Sequence, residues 1–381
     1  MKSTQLAQIS LTKDHTGATT NPIYLSTAYQ HEKLGCSTGF DYTRTKNPTR
    51  SNFEDAFAKL EGGKYSFATS SGMASIQLVC NLFKPNDEIL VSFDLYGGTF
   101  RLFEFYEKQY NIKFKYIDFS NIDEVNTFIN EHTRAFFIEP ISNPLMFSVD
   151  LNPLYEIAQA RNILTIIDNT FLTPYLSTPL KDGADIVLHS ATKYISGHND
   201  VLAGIVTVSD DYLGEVLGQF HNMIGATLSP FDSYLLLRGL KTLHLRLDRS
   251  TENAQKLAHS LQSVESIDEV LYSGQTGMLS IRLNNAYSVD SFLQNIKLCI
   301  FAESLGGTET FITFPYTQTH VDMADEEKDK RGIDEYLLRL SIGIEDYEDI
   351  YEDILQALKI QEKKECQYEL FKRNVFNIGF H

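Results

Sequence analysis

The sequence predicts an α/β fold: a mostly parallel sheet covered by helices on both faces, followed by a smaller α+β unit. Three observations carry this. Between residues 73 and 188, short runs that are apolar throughout alternate with longer stretches of helical period, as expected of strands buried on both sides. Near residue 240 the texture changes to strands and helices without that alternation. The chain's 381 residues also exceed one ordinary small domain and suit two.

Taken in order, residues 1–50 are rich in Thr, Asn, Tyr and Gly and keep no sustained period, which predicts an N-terminal arm. Regular patterning starts at Ser51. Met73, Ile76, Val79, Leu82 and Phe83 recur at helical spacing. Strand 88–91, a helix over 101–110, strand 114–117 and a helix over 125–129 come next. Strand 135–138, a helix over 151–161 and strands 164–167 and 185–188 complete the first unit. The stretch 230–247 predicts one long helix, and a helix at 251–262 follows it. Strands at 278–283, 311–314 and 337–342 and a helix at 346–359 make up the α+β part. The expected division is an arm at 1–50, a first domain at 51–240, a second at 241–360 and a tail at 361–381.

The bulk properties exclude several classes. The formal charge of −17 disfavours nucleic acid or an anionic membrane surface as the main partner. At 43% hydrophobic residues and a mean hydropathy of −0.21, the chain can build an ordinary core. No apolar run is long enough to span a bilayer, and the first residues lack a signal-peptide profile, so a cytoplasmic protein is expected. Cys36, Cys80, Cys299 and Cys366 lack zinc-type spacing, and Cys80 and Cys299 read as buried thiols. The histidines form no ligand cluster, and no metal is expected.

The residues that carry chemistry fall at strand ends, where open α/β sheets collect ligands. Lys193, in Ser190-Ala191-Thr192-Lys193, directly follows strand 185–188. Asp168 ends strand 164–167. Its carboxylate is either a loop cap or an anion that keeps a pyridine nitrogen protonated, the state in which such a ring is an electron sink. Ser70-Ser71-Gly72-Met73 opens a helix, where free amides and the helix dipole favour an anion. The hydroxyls of Ser190 and Thr192 are placed to add to that cradle. Tyr96, in Tyr96-Gly97-Gly98-Thr99, offers a ring on a flexible turn for stacking on a flat cofactor or packing on the core. Arg339 lies among apolar neighbours, where arginine usually meets a carboxylate in a forked pair; protein acid and substrate are both open as its partner.

In the order YTRTKNPTR (42–50), SSGMAS (70–75), YGGT (96–99), SNPL (142–145), DNTF (168–171), SATKYISGH (190–198), ESLGG (303–307) and RLSIGIE (339–345), the chain resembles the Cys/Met-metabolism family of pyridoxal-phosphate enzymes. The likeness runs from about residue 5 to residue 360. It implies an aspartate-aminotransferase-like fold (PLP fold type I) with pyridoxal 5'-phosphate as cofactor. On this resemblance Lys193 is the Schiff-base lysine, Asp168 holds the ring nitrogen and Tyr96 stacks on the ring and assists proton transfer. Gly72, Met73, Ser190 and Thr192 bind the phosphate. Tyr42 and Arg44 reach the phosphate of a neighbouring subunit, which implies a homo-oligomer, a dimer of dimers, with active sites at subunit interfaces. Asn143, Ser304 and Arg339 fix the substrate's α-carboxylate side.

Within the family the chain resembles the cystathionine γ-synthase branch. Asp41 and Glu309 match acidic positions of members acting at the γ carbon, and Arg101 suits an acyl group or distal anion. The implied reaction joins succinyl or acetyl homoserine to cysteine, giving cystathionine in methionine biosynthesis. A γ-lyase, an O-acetylhomoserine sulfhydrylase and a non-catalytic binding protein on the same fold are the alternatives. Two departures stand out: a short passage from Leu271-Tyr272 to Gly277-Met278, and Glu139-Pro140-Ile141-Ser142 in place of the commoner order.

Overall fold

The structure, a computed structural model, describes residues 2–10, 16–321, 323 and 325–359. The tail 361–381, with Cys366, lies outside them. Among the described residues the strands form two sheets. The first contains β1 (Tyr65–Thr69), β2 (Glu88–Ser92), β3 (Lys113–Ile117), β4 (Thr133–Ile138), β5 (Leu164–Asp168), β6 (Ile186–His189) and β7 (Gly204–Val208), in the order β1-β7-β6-β5-β4-β2-β3. All pairs are parallel except those of β7, which runs antiparallel to both β1 and β6. The sheet is covered on both faces, as predicted. Ile166, Ile186 and Leu188 pack one way with Val79 and Phe103, and Ile167 and Val187 the other with Leu154 and Ala158.

β1 and β7 depart from the sequence expectation, which placed no strand there. β7 follows β6 without an intervening helix and pairs backwards, so strict strand–helix alternation passes over it. Helices Pro48–Glu61 and Asp211–Ile224 were likewise unforeseen. The arm is not wholly irregular either: Lys2–Ala7 is helical and buries Leu6. Helix Pro48–Glu61 starts where Asn47 accepts from the amides of Thr49 and Arg50 and ends at left-handed Gly62.

The expected helix over 230–247 is two helices, Pro230–Leu240 and Leu243–Leu261. At the break the Gly239 carbonyl accepts from Arg246 Nη2 at 2.8 Å and from Thr242 Oγ1 at 3.2 Å. With a tightened bond from Thr242 N at 3.2 Å, these side chains crowd an acceptor that a continuous helix would give to the Leu243 amide. No Gly-Pro punctuation marks this break, because its cause is a partner in the next helix.

The second sheet contains β8 (Ile267–Leu271), β9 (Met278–Leu283), β10 (Ile300–Phe301), β11 (Phe311–Thr313) and β12 (Leu337–Ser341), in the order β10-β11-β12-β9-β8. The shortened 272–277 passage joins β8 to β9. Helices Leu243–Leu261 and Tyr347–Lys359 bury Leu257, Leu261, Ile350 and Ile354 against it. Cys80 and Cys299 are buried free thiols, as expected.

Candidate active site

A cavity of ≈ 220 Å³ lies at the carboxyl ends of β5 and β6 and reaches β12 of the second sheet. The carboxyl ends of strands are where a parallel sheet aims helix N-termini and loop side chains at a ligand. Lys193, Asp168, Gly72, Met73, Tyr96, Asn143, Ser190, Thr192, Ser304 and Arg339 all line it. Residues distant in sequence therefore converge on one space.

Lys193 Nζ donates to Ser304 Oγ at 3.2 Å. Burial, and next the positive charge of Arg339, lower the lysine to about 8, while Glu303 opposes them. Roughly a tenth is then the free amine at pH 7, far more than for an ordinary lysine, as a nucleophile or general base requires. The turn carrying Lys193 is held from below: buried Arg246 donates to Tyr194 O at 2.8 Å, and a side chain at Gly197 would run into its guanidinium. Nothing in the local sequence of Arg246 announces this role.

Asp168 Oδ1 accepts from the amide of Thr170 at 3.1 Å and from its hydroxyl at 2.5 Å. Thr170 Oγ1 also accepts from Ser190 N at 2.9 Å, which ties the β5 and β6 ends together. Burial raises Asp168 above its ordinary value, and the Thr170 bonds pull it back. Glu139, also on the cavity, is raised well above the carboxylate range by burial and then by Asp168, and its Oε1 accepts from Tyr96 N at 3.1 Å. A cationic ring nitrogen beside Asp168 would relieve that crowding of acids.

Ser71 caps helix Gly72–Cys80, accepting from Ala74 N at 3.1 Å. A Cβ added at Gly72 would come within 2.7 Å of Ser190 Cβ and 2.9 Å of its hydroxyl. Glycine here lets an open helix N-terminus and the Ser190 hydroxyl face one anion. Thr192 is tied elsewhere: its hydroxyl donates to Ala203 O at 3.1 Å and accepts from Ala203 N at 3.0 Å. Tyr96 does not ride on a flexible turn. It is the N-cap of helix Gly97–Tyr110, which begins at Gly97 rather than near Arg101.

Arg339 is 2% exposed. Nη1 donates to Asn143 Oδ1 at 3.1 Å, and Nη2 to Ser304 O and Thr313 Oγ1, each at 2.9 Å. These partners are neutral, and Nε lacks a partner among the described residues. The forked carboxylate expected of a buried arginine is therefore not a protein acid here. A carboxylate-bearing ligand in the cavity would supply it.

Five predicted residues are not brought to this cavity. Asp41 accepts from Ser37 Oγ at 2.5 Å and pairs with His31 at 2.9 Å. Tyr42 is half-exposed, with the Arg44 guanidinium over its ring at 5.7 Å. Glu309 accepts from Asn199 Nδ2 at 2.8 Å, and Arg101 lies exposed on helix Gly97–Tyr110. Glu139, Thr170, Glu303 and Arg246 were not foreseen as site residues; their roles rest on contacts with residues remote in sequence. Among the described residues there is no acid–histidine–cysteine group suited to a metal and no helix long and apolar enough to cross a membrane.

An amine, an acid and a glycine-opened helix N-terminus, all lining one cavity, suit an aldehyde, a ring nitrogen and a phosphate respectively. The donor set fits pyridoxal phosphate, and this is the architecture of a pyridoxal-phosphate enzyme. Residues 3–359 match the model of the Cys/Met metabolism PLP-dependent enzyme family, and the chain belongs to that family. It is 54% identical over 356 residues to a Bacillus subtilis (strain 168) protein named cystathionine gamma-synthase/O-acetylhomoserine (thiol)-lyase, covering 93% of this chain and 95% of that one. Identity to the cystathionine gamma-synthase of Haemophilus influenzae (strain ATCC 51907 / DSM 11121 / KW20 / Rd) is 51%, covering 93% and 96%. The crystal structure of cystathionine gamma-lyase from Lactobacillus plantarum complexed with L-serine superposes with a TM-score of 0.91 at 36% identity, covering 95% of this chain and all of that one. The fold is of the aspartate-aminotransferase type, and pyridoxal phosphate is the cofactor.

Proposed function

We propose that the protein joins an O-acyl homoserine, succinyl or acetyl, to cysteine, giving cystathionine for methionine biosynthesis. The S–Cγ bond forms, the Cγ–O bond breaks, and the acyl acid leaves. The observation that carries an amino-acid substrate is Arg339: a buried guanidinium on the cavity with neutral protein partners, beside an amine whose pKa is lowered to about 8. The likeness to relatives named as synthases supports the choice of reaction within the family.

Bound pyridoxal phosphate supplies the electron sink that lets protons leave the substrate's carbons. Arg339, Asn143 and Ser304 grip the α-carboxylate. Lys193 carries protons to and from the substrate, and Tyr96, at its helix start, assists. Asp168 would keep the ring nitrogen protonated, while Gly72, Met73 and the Ser190 hydroxyl would surround the phosphate and Thr192, its hydroxyl held by Ala203, would border it. In a homo-oligomer, a dimer of dimers, the arm 1–50 brings Tyr42 and Arg44 to a neighbouring subunit's phosphate. Asp41, Glu309 and Arg101 lie off this chain's own cavity, so a part for them in holding the ammonium of the incoming cysteine or the distal anion requires the subunit interface. In this reading 51–240 is the cofactor-binding domain, 241–360 the second domain, and the setting cytoplasmic.

The name of the Bacillus subtilis relative pairs synthase with thiol-lyase activity, which favours sulfide as a second nucleophile. Incubation with acyl homoserine plus cysteine, plus sulfide, or without a thiol, and with cystathionine alone, separates the readings by product. Cystathionine formed only with both substrates supports the synthase. Homocysteine from sulfide at a higher rate moves the assignment to the sulfhydrylase, and an oxo acid released from cystathionine moves it to the γ-lyase.

A further inference from the structure

Arg50 closes the motif at 42–50 and is 1% exposed. Its Nη1 donates to Thr43 O at 2.8 Å, and its Nη2 to Arg44 O and Thr45 O, each at 3.1 Å. Three successive carbonyls therefore converge on one planar fork, which an ammonium could not reproduce. On its other side Arg50 Nε lies 3.4 Å from Glu54 Oε1, and that same oxygen accepts from Ala68 N at 2.9 Å. Ala68 belongs to β1, three residues before the Ser71 cap. One buried cation thus links the turn at 43–45, which it holds by hydrogen bonds, to the strand that leads into the phosphate cradle, which it approaches by charge alone.

The turn gains little from this within its own chain. Asp41, Tyr42, Arg44, Thr45 and Lys46 are all exposed; among the described residues their side chains are held by Thr45 Oγ1 donating to Asn222 Oδ1 at 3.2 Å, by the local pairs of Asp41 and Tyr42, and by Lys46 Nζ over the Phe40 ring at 5.5 Å. Burying a guanidinium carries a large desolvation cost. Spending a fully buried cation to immobilise an exposed turn makes sense when the turn's geometry serves a surface outside its own subunit.

We propose that Arg50, braced by Glu54, is a positioning residue that presents Tyr42 and Arg44 of one subunit to the cofactor phosphate of another. This rests on the reading of the arm given above. Because the arm acts in trans, an Arg50 defect must appear in the neighbour's site and leave the variant's own site intact.

Subunit hybrids test this directly. Chains carrying Arg50→Met and chains carrying Lys193→Ala are co-expressed with different tags, and the two-tag hybrid is purified. Cofactor affinity is read by titrating the cofactor-free protein and following the visible absorbance of lysine-bound cofactor, which only the Lys193-intact chain produces. The Arg50→Met homo-oligomer is expected to bind cofactor about tenfold more weakly, as is an Arg44→Ala control, and both are expected to recover in the hybrid. If Arg44→Ala recovers and Arg50→Met does not, Arg50 acts within its own subunit and the proposal is overturned. If neither recovers, the trans reading of the arm falls, and the proposal with it. Should Arg50→Met fail to fold, Arg50→Lys, which keeps the buried charge without the fork, carries the same comparison.

Discussion

Lys193 and Arg339 meet through one residue, Ser304, whose hydroxyl accepts from the lysine at 3.2 Å and whose carbonyl accepts from the arginine at 2.9 Å. Ser304 holds φ = 135°, a conformation an L-residue rarely adopts and one usually found where function over-determines the backbone. In the proposed function it would space the proton-carrying amine from the guanidinium that grips the carboxylate.

The first prediction follows from the lowered pKa of Lys193. Cofactor capture by the cofactor-free protein needs the free amine, so its rate should rise with pH and level off above about 8. Stopped-flow absorbance across pH 6 to 10 checks this, and a midpoint near the ordinary lysine value would contradict it. The sign for stability follows as well. The folded pKa lies below the unfolded 10.5, so the unfolded chain binds more protons between about 8 and 10.5, and the cofactor-free fold gains stability as pH rises through that window. Lys193→Ala should remove this pH dependence and lower turnover by at least about 10³-fold.

Arg339→Lys keeps the charge but loses the fork, leaving Asn143, Ser304 and Thr313 without their shared donor. The expected cost is about 3 kcal/mol in substrate binding, on the order of 100-fold in KM. The change should fall on KM more than on kcat, because the carboxylate it grips does not react. Steady-state kinetics with acyl homoserine decide it.

Asp168→Asn keeps the shape and removes the anion. The proton on the ring nitrogen should then be lost about 1–3 pH units lower, which spectrophotometric titration of the bound cofactor follows. Turnover should fall with the protonated fraction. An unchanged titration would show that another group, Glu139 foremost, holds the proton.

Gly72→Ala places a methyl group within 2.7 Å of Ser190 Cβ. Overpacking of about 1–3 kcal/mol should weaken cofactor affinity roughly tenfold or more, and the turnover of fully loaded protein should change far less. Equilibrium titration and activity at saturating cofactor separate the two effects.

The fold was legible where one segment carries its own pattern. Leu164–Asp168 and Ile186–His189 are short, apolar and followed at once by polar chemistry, so Asp168 and Lys193 could be placed at strand ends. Tyr65–Thr69 and Gly204–Val208 were not, because the antiparallel insertion of the second beside the first is set by pairing across the chain. Similarly, Arg339 stood out as a cation among apolar neighbours, whereas Arg246 sits in an ordinary amphipathic helix and matters only because Tyr194 and Gly197 fold over it. Thr170 shows the same limit: its hydroxyl joins Asp168 to Ser190, a link between two strands that neither strand's sequence records.

The reversed strand β7 has a consequence for biosynthesis. It stands between β1, which leads to Gly72, and β6, which leads to Lys193. A nascent chain that has exposed both residues still lacks the bridge between them until Val208 has left the ribosome, and the carboxylate grip waits further for Arg339. Non-local pairings of this kind form late and slowly. Loading with the vitamin-derived aldehyde accordingly waits at least for β7, and a chain truncated before β12 would carry Lys193 without the Arg339 charge that helps to lower it and without that guanidinium beside it.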